Sequence, residues 1–152
     1  MSDTASLLKQ RLQSELKIAM KAGEKARRDV IRLIMSAIKQ REVDERIELN
    51  DEQIITVLDK MLKQRRESIA QYTDAGRTDL ADQEISEIAV IETFMPEKLS
   101  NTDIEILMTK ALEDSNATSI RDMGKVMAIL KPAMQGRADM AAVSSLVKQK
   151  LA

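Results

Sequence analysis

Apolar residues recur along this chain at intervals of three and four, and the interruptions fall at glycine, proline and short polar runs. Leu8, Leu12, Leu16, Ala19 and Met20 predict a helix over 6–22 that stops at Gly23. A second helix is expected to start near Glu24–Ala26, with Val30, Ile31, Leu33, Ile34, Ala37 and Ile38 inward, and to end in the polar run REVDERIELN. Asn50 or Asp51 is placed to cap a third, whose stripe is Ile54, Leu58, Met61, Leu62, Ile69 and Tyr72 and whose stop is Gly76. Thr78 or Asp79 is placed to cap a fourth, with Leu80, Ile85, Ile88 and Ile91 inward and Pro96 as its stop.

After Pro96 the pattern restarts. Ser100 with Asp103, or Thr102 with Glu105, fits a capping box before Ile104, Leu107, Met108, Ala111 and Leu112. Ser119 with Asp122 fits another, opening a sixth helix with Ile120, Met123, Met127 and Leu130 on one face. Asp139 is expected to cap a seventh, with Val143, Leu146, Val147 and Leu151 inward. No stretch alternates with period two between turn residues. The expected fold is therefore all-α, an N-terminal four-helix bundle (1–96) followed by a smaller C-terminal three-helix bundle (97–152), joined at MPEKLSN. The second part has 56 residues, a marginal size for independent stability, so it is expected to lean on the first.

Composition narrows the chemistry. Apolar residues make up 43% of the chain but aromatics only 1%, Phe94 and Tyr72, so Leu, Ile, Met and Ala must fill the core. Ten methionines at stripe spacing read as core filler, with a methionine-rich protein-interaction adaptor as the alternative. There is no cysteine and no histidine, which removes thiolate nucleophiles, the commonest general base and the commonest zinc ligand. No metal and no cofactor are expected. No signal peptide or long uncharged apolar run is visible, so the expectation is a cytoplasmic chain without a membrane partner.

Candidate motifs mostly reduce to structure. Gly124-Lys125 lacks the first glycine, the hydroxyl and the preceding strand of a phosphate-binding loop. Glu84 and Glu87 share a helix face, which reads as solvated or arginine-paired. Serine–lysine chemistry has no local signature. The runs KMLKQRR (Lys60, Lys63, Arg65, Arg66) and Lys21, Lys25, Arg27, Arg28, Arg32 read as solvated faces with intrahelical pairs.

Charge is uneven. Gly124–Ala152 holds five basic residues (Lys125, Lys131, Arg137, Lys148, Lys150) and one acid, Asp139, a net +4, whereas Glu97–Met123 is −3. Within DMGKVMAILKPAMQGRAD, Gly124 suggests a helix backbone approached closely by another helix or a ligand. Pro132 biases Lys131 away from the α region and should end the helix there. Gly136 allows a positive φ. Arg137 then projects beside the Asp139 cap, at a helix start that favours anions. The turn reads as a structural corner, with a phosphate-backbone contact as the alternative.

The string DMGKVMAILKP…GRAD…V…VKQKL resembles the C-terminal module of the GatB/YqeY family, the tail of the B subunit of the glutamine-dependent tRNA amidotransferase. The upstream segments LKQRLQSELKIAMKAGEKARRDVIRLIMSAIKQREVDE and DEQIITVLDKMLKQRRESIAQYTDAGRTDLADQEISEIAVIETFMPEKLS resemble the first domain of its stand-alone YqeY-like members. That resemblance implies two helical bundles and a place beside tRNA or an amidotransferase. It also brings a family label, carbon–nitrogen ligase with glutamine as amido donor, for which this chain shows no catalytic constellation. It directs attention to Lys125, Lys131, Arg137, Lys148 and Lys150 as nucleic-acid contacts, with Gly124, Pro132, Gly136 and Asp139 shaping the turn. The chain departs from the family pattern at Ala133, Met140 and Ala141.

Overall fold

The computed structural model describes residues 6–152; the expected first domain begins at residue 1, so its residues 1–5 lie outside the described ones. Among the described residues there are seven α-helices, one 3-10 turn and no strand: α1 (Leu7–Ala22), α2 (Lys25–Glu45), α3 (Asp51–Asp74), α4 (Thr78–Glu92), α5 (Asn101–Asp114), the 3-10 turn Ile120–Asp122, α6 (Met123–Met134) and α7 (Met140–Leu151). The chain divides into two units, one ending at Met95 and one running Pro96–Ala152. Among the described residues no helix is long and apolar enough to cross a membrane.

In the first unit, local capping chemistry sets the helix ends. Ser6 accepts the Lys9 N–H at 3.0 Å and itself bonds Asp51 at the start of α3; the same Asp51 oxygen accepts the Leu8 N–H at 3.1 Å. Two otherwise orphaned amides of α1 are thereby satisfied, one from within and one by a residue more than forty positions away. Gly23 (φ 71°) closes α1 in the left-handed region, where a glycine carries no Cβ penalty. Asn50 and Gln53 exchange side-chain bonds to each other's backbone N–H, both at 2.9 Å, a complete capping box for α3.

The apolar stripes converge on Leu12, Ile31, Ile34, Ile38, Leu49, Ile54, Leu58, Ile91 and Phe94, all essentially buried. Phe94 lies between two guanidinium groups, Arg11 at 5.1 Å and Arg27 at 5.4 Å from the ring centroid. Glu42 is the buried charge of this unit. It accepts both oxygens' worth of bonds from Lys9 Nζ (3.0 and 2.9 Å) and the Leu49 N–H at 2.9 Å, tying α1 and the α2–α3 connection to α2.

Several expected details differ. The cap position of α4 is Arg77, with no side-chain cap bond, not Thr78 or Asp79; both lie inside the helix, and the Asp79 carboxylate accepts from the Arg77 guanidinium at 3.1 and 3.2 Å. α4 ends at Glu92, before Pro96. As expected, α2 ends inside the polar run, at Glu45, where Arg46 turns left-handed (φ 56°). Met20, Leu33 and Ile85 face solvent, because each helix buries a narrower sector than its apolar residues span. The arginines of KMLKQRR pair between helices, not within one: Arg65 reaches Glu84 and Glu87 of α4, and Arg66 reaches Glu92.

The second unit packs Met108 and Ala111 of α5, Val126, Leu130 and Met134 of α6, and Val143, Val147 and Leu151 of α7, with Met123 and Met127 partly buried against them. Ser100 caps α5 through the Asp103 N–H at 3.1 Å. Ile120 and, on α7, Leu146 are exposed; of the predicted α6 stripe Leu130 is buried and Met123 and Met127 partly so, while Val126 and Met134 complete the buried face. α6 also runs through Pro132 to Met134, where Lys131 and Pro132 were expected to break it. Pro132 sits in the last turn, where it forfeits one intrahelical bond. The added turn buries Met134 and lets its carbonyl receive the Arg137 and Ala138 N–H groups at 2.8 and 3.1 Å.

Candidate nucleic-acid interface

The five basic candidates of the second unit occupy different environments. Lys125 lies in the first turn of α6, its side chain 70% exposed, with Asp122 as a distant partner at 3.9 Å. Asp122 is occupied elsewhere: its carboxylate accepts the Thr118 and Ser119 N–H groups at 2.9 and 3.3 Å. Those amides, and then the charge of Lys125, hold it below the usual aspartate range. Lys125 faces the other carboxylate oxygen, Oδ1, at the edge of ion-pair distance, and its side chain stays largely in solvent.

Lys131 on α6 and Lys148 on α7 are exposed and make no ion pair within 4 Å among the described residues. Lys150 reaches Glu105 of α5 at 3.2 Å and is partly neutralised. Arg137 is bound to the backbone: its Nε donates to the Glu97 carbonyl at 3.0 Å, and its own carbonyl accepts the Leu99 N–H at 2.8 Å. Spacing along the helices separates the rest. Lys125 and Lys131 point about 120° apart on α6, and Lys148 and Lys150 about 160° apart on α7. The candidates form a basic rim around the unit, with no single helix face carrying all five.

The turn residues divide similarly. Gly136 has φ 76°, and Asp139 caps α7 by accepting the Ala141 and Ala142 N–H groups at 3.0 and 3.3 Å. Asp139 thus holds the exposed amides of α7 that could otherwise receive a phosphate. The close approach expected at Gly124 is absent, since a Cβ there would meet no atom within 4 Å. Gly124 is the second residue of α6, in a turn entered through the 3-10 segment, and no packing requires it to lack a side chain.

Residue patterning did not reveal the Arg137 clasp, because its partners lie 38 and 40 positions away. Nor did it identify Arg65 as the counterion of Glu84 and Glu87, at 3.8 Å from each. An open hollow of about 570 Å³ beside the end of α5 is lined by Leu112, Glu113, Asn116, Ala117 and Thr118, a set with one carboxylate and no base beside a nucleophile.

Residues 9–151 match the family described as Yqey-like protein. Among similar proteins are several named "Altered inheritance of mitochondria protein 41, mitochondrial". The one from Kluyveromyces lactis is 36% identical over 84 residues, 55% of this chain and 45% of that protein. The one from Vanderwaltozyma polyspora is 28% identical over 120 residues, 74% of this chain and 64% of that protein. The one from Candida glabrata is 34% identical over 104 residues, 67% and 57% respectively. The chain spans about half to two-thirds of the length of these curated relatives. Their names contradict the cytoplasmic location expected from the sequence, and that expectation is withdrawn. With the match extending from α1 to the end of α7, the chain belongs to the Yqey-like protein family.

Proposed function

We propose that this chain is a helical docking module for tRNA, working beside the machinery of tRNA-dependent amidation. In this reading α1–α4 form one bundle, and α5–α7 form a smaller one equivalent to the amidotransferase tail. The observation that carries it is the charge left over after folding. Residues 124–152 hold five cations and one acid, and that acid, Asp139, is used up as the cap of α7. Lys131 and Lys148 face solvent with no ion pair within 4 Å among the described residues, and Lys125, 70% exposed, has Asp122 at 3.9 Å, which supports a phosphate-tracking surface. Phe94 is buried and Tyr72 half-buried, so base stacking is not offered and a structured RNA suits the surface better than a single strand.

The test is an electrophoretic shift of tRNA by the full chain at low salt, repeated with K125A/K131A/K148A. Retardation by the native chain and its loss in the triple variant support docking. No retardation, or equal retardation by both, refutes it.

A further inference from the structure

The α1–α2 hairpin carries a second concentration of positive charge, separate from that of α6 and α7. From Lys17 to Lys39 there are seven basic residues and two acids, a net +5. Two of the seven are engaged. Arg27 meets Glu15 at 3.3 Å and the Phe94 ring, and Arg28 meets Asp29 at 2.9 Å, which neutralises one of the two acids. Lys17, Lys21, Lys25, Arg32 and Lys39 are exposed and make no ion pair within 4 Å among the described residues.

Their placement is ordered. Lys25, Arg32 and Lys39 are seven residues apart on α2, so each drifts only about 20° from the last, and together they span roughly 21 Å. The stripe lies opposite the buried face of Val30, Ile31, Ile34 and Ile38. On α1, Lys17 and Lys21 are one turn apart, and Lys21 points about 180° from the buried Leu12. The two outer faces meet where Arg32 Nη2 comes within 4.0 Å of Met20 Sδ.

We infer that this outer face of the α1–α2 hairpin is a second docking surface for the phosphate backbone of structured RNA. The inference rests on the reading of the chain as a tRNA-docking module and adds a surface on its first unit. Long cationic side chains on a rigid rod suit a duplex backbone, whose phosphates recur at fixed spacing. A bilayer-binding face would need a broad apolar sector. Between Lys25 and Lys39 the α2 stripe reads Lys25, Asp29, Arg32, Ser36, Lys39 and contains no apolar residue. The exposed Ile18 and Met20 of α1 are flanked by Lys17 and Lys21.

The experiment is tRNA binding by fluorescence anisotropy, comparing the native full chain, K25Q/R32Q/K39Q, and K125A/K131A/K148A, with circular dichroism to verify folding. The α2 variant is expected to bind at least about tenfold more weakly at low salt and to lose about 2 from the slope of log affinity against log salt. A charge-retaining K25R/R32K/K39R variant should bind like the native chain. Native affinity and slope in the α2 variant overturn the inference, and if the α6–α7 variant is weakened at the same time, the docking reading stands without it. Loss confined to the α2 variant sustains the inference and removes α6–α7 as the site. No binding by the native chain overturns both. Anionic phosphatidylglycerol vesicles serve as the control surface: charge-dependent co-sedimentation through α2, with tRNA binding unchanged, would assign the stripe to lipid and overturn the inference.

Discussion

Arg137 donates from Nε to the carbonyl of Glu97 at 3.0 Å, joining the turn before α7 to the segment that leads into α5. With the Leu99 N–H donating to the Arg137 carbonyl at 2.8 Å, the pair closes a clasp that brings together the two ends of the segment holding α5 and α6. A charge-assisted bond of this kind contributes about 1.5 kcal/mol. R137A should therefore lower the stability of the second unit by about that amount in urea unfolding. Native stability in R137A would show that water replaces the guanidinium at no cost.

Glu42 is the corresponding tie in the first unit. Burial alone would raise its pKa, but the Leu49 N–H and Lys9 together hold it below the ordinary glutamate value. A group with a depressed folded pKa stabilises the fold above its unfolded pKa, and that contribution is lost as pH falls through the folded value. E42Q should cost about 2 kcal/mol at neutral pH, through the lost charged bonds to Lys9 and Leu49. The native chain and E42Q should converge in stability as the solution is acidified below the ordinary glutamate range. A gap independent of pH would remove the ionic explanation.

Glu87 behaves oppositely. Burial pushes its carboxyl up, Arg65 opposes the shift, and Glu84 adds to it. Its raised folded pKa means that stability from this group falls as pH rises through the carboxylate range, because the folded state holds its proton longer. E87Q should thus be close to neutral in stability at pH 7. R65M should cost about 2 kcal/mol by leaving two half-buried carboxylates without a counterion. Equal losses in both variants would contradict this ordering.

Phe94 is almost the whole aromatic content of the core, and Arg11 and Arg27 cover its ring. F94L should cost more than its volume change implies, since the lost cation–π contacts add about 1 kcal/mol. A double-mutant cycle of F94L with R27Q isolates that part, and a coupling near zero would assign the whole cost to packing.

Much of the fold is legible in the sequence because local chemistry decides it. Asn50, Ser100 and Asp139 cap where their spacing says they should, and Gly23, Gly76 and Gly136 turn left-handed at helix ends. Where tertiary packing overrides local preference, the sequence misleads. Burial of Met134 carries α6 through Pro132, and α4 starts at Thr78, which puts Asp79 inside the helix. The candidate surface is legible as a charge surplus but not as geometry. Whether a lysine is free or engaged depends on partners such as Glu105, and the Arg137 backbone clasp lies far away in sequence.

Contact of Lys125, Lys131 and Lys148 with RNA phosphates, as proposed above, is read out by the salt dependence of tRNA affinity. Each phosphate contact contributes roughly 0.7–0.9 to the slope of log affinity against log salt. K125A/K131A/K148A, folded like the native chain, is expected to bind more weakly, with a slope smaller by about 2–3. An unchanged slope would contradict it.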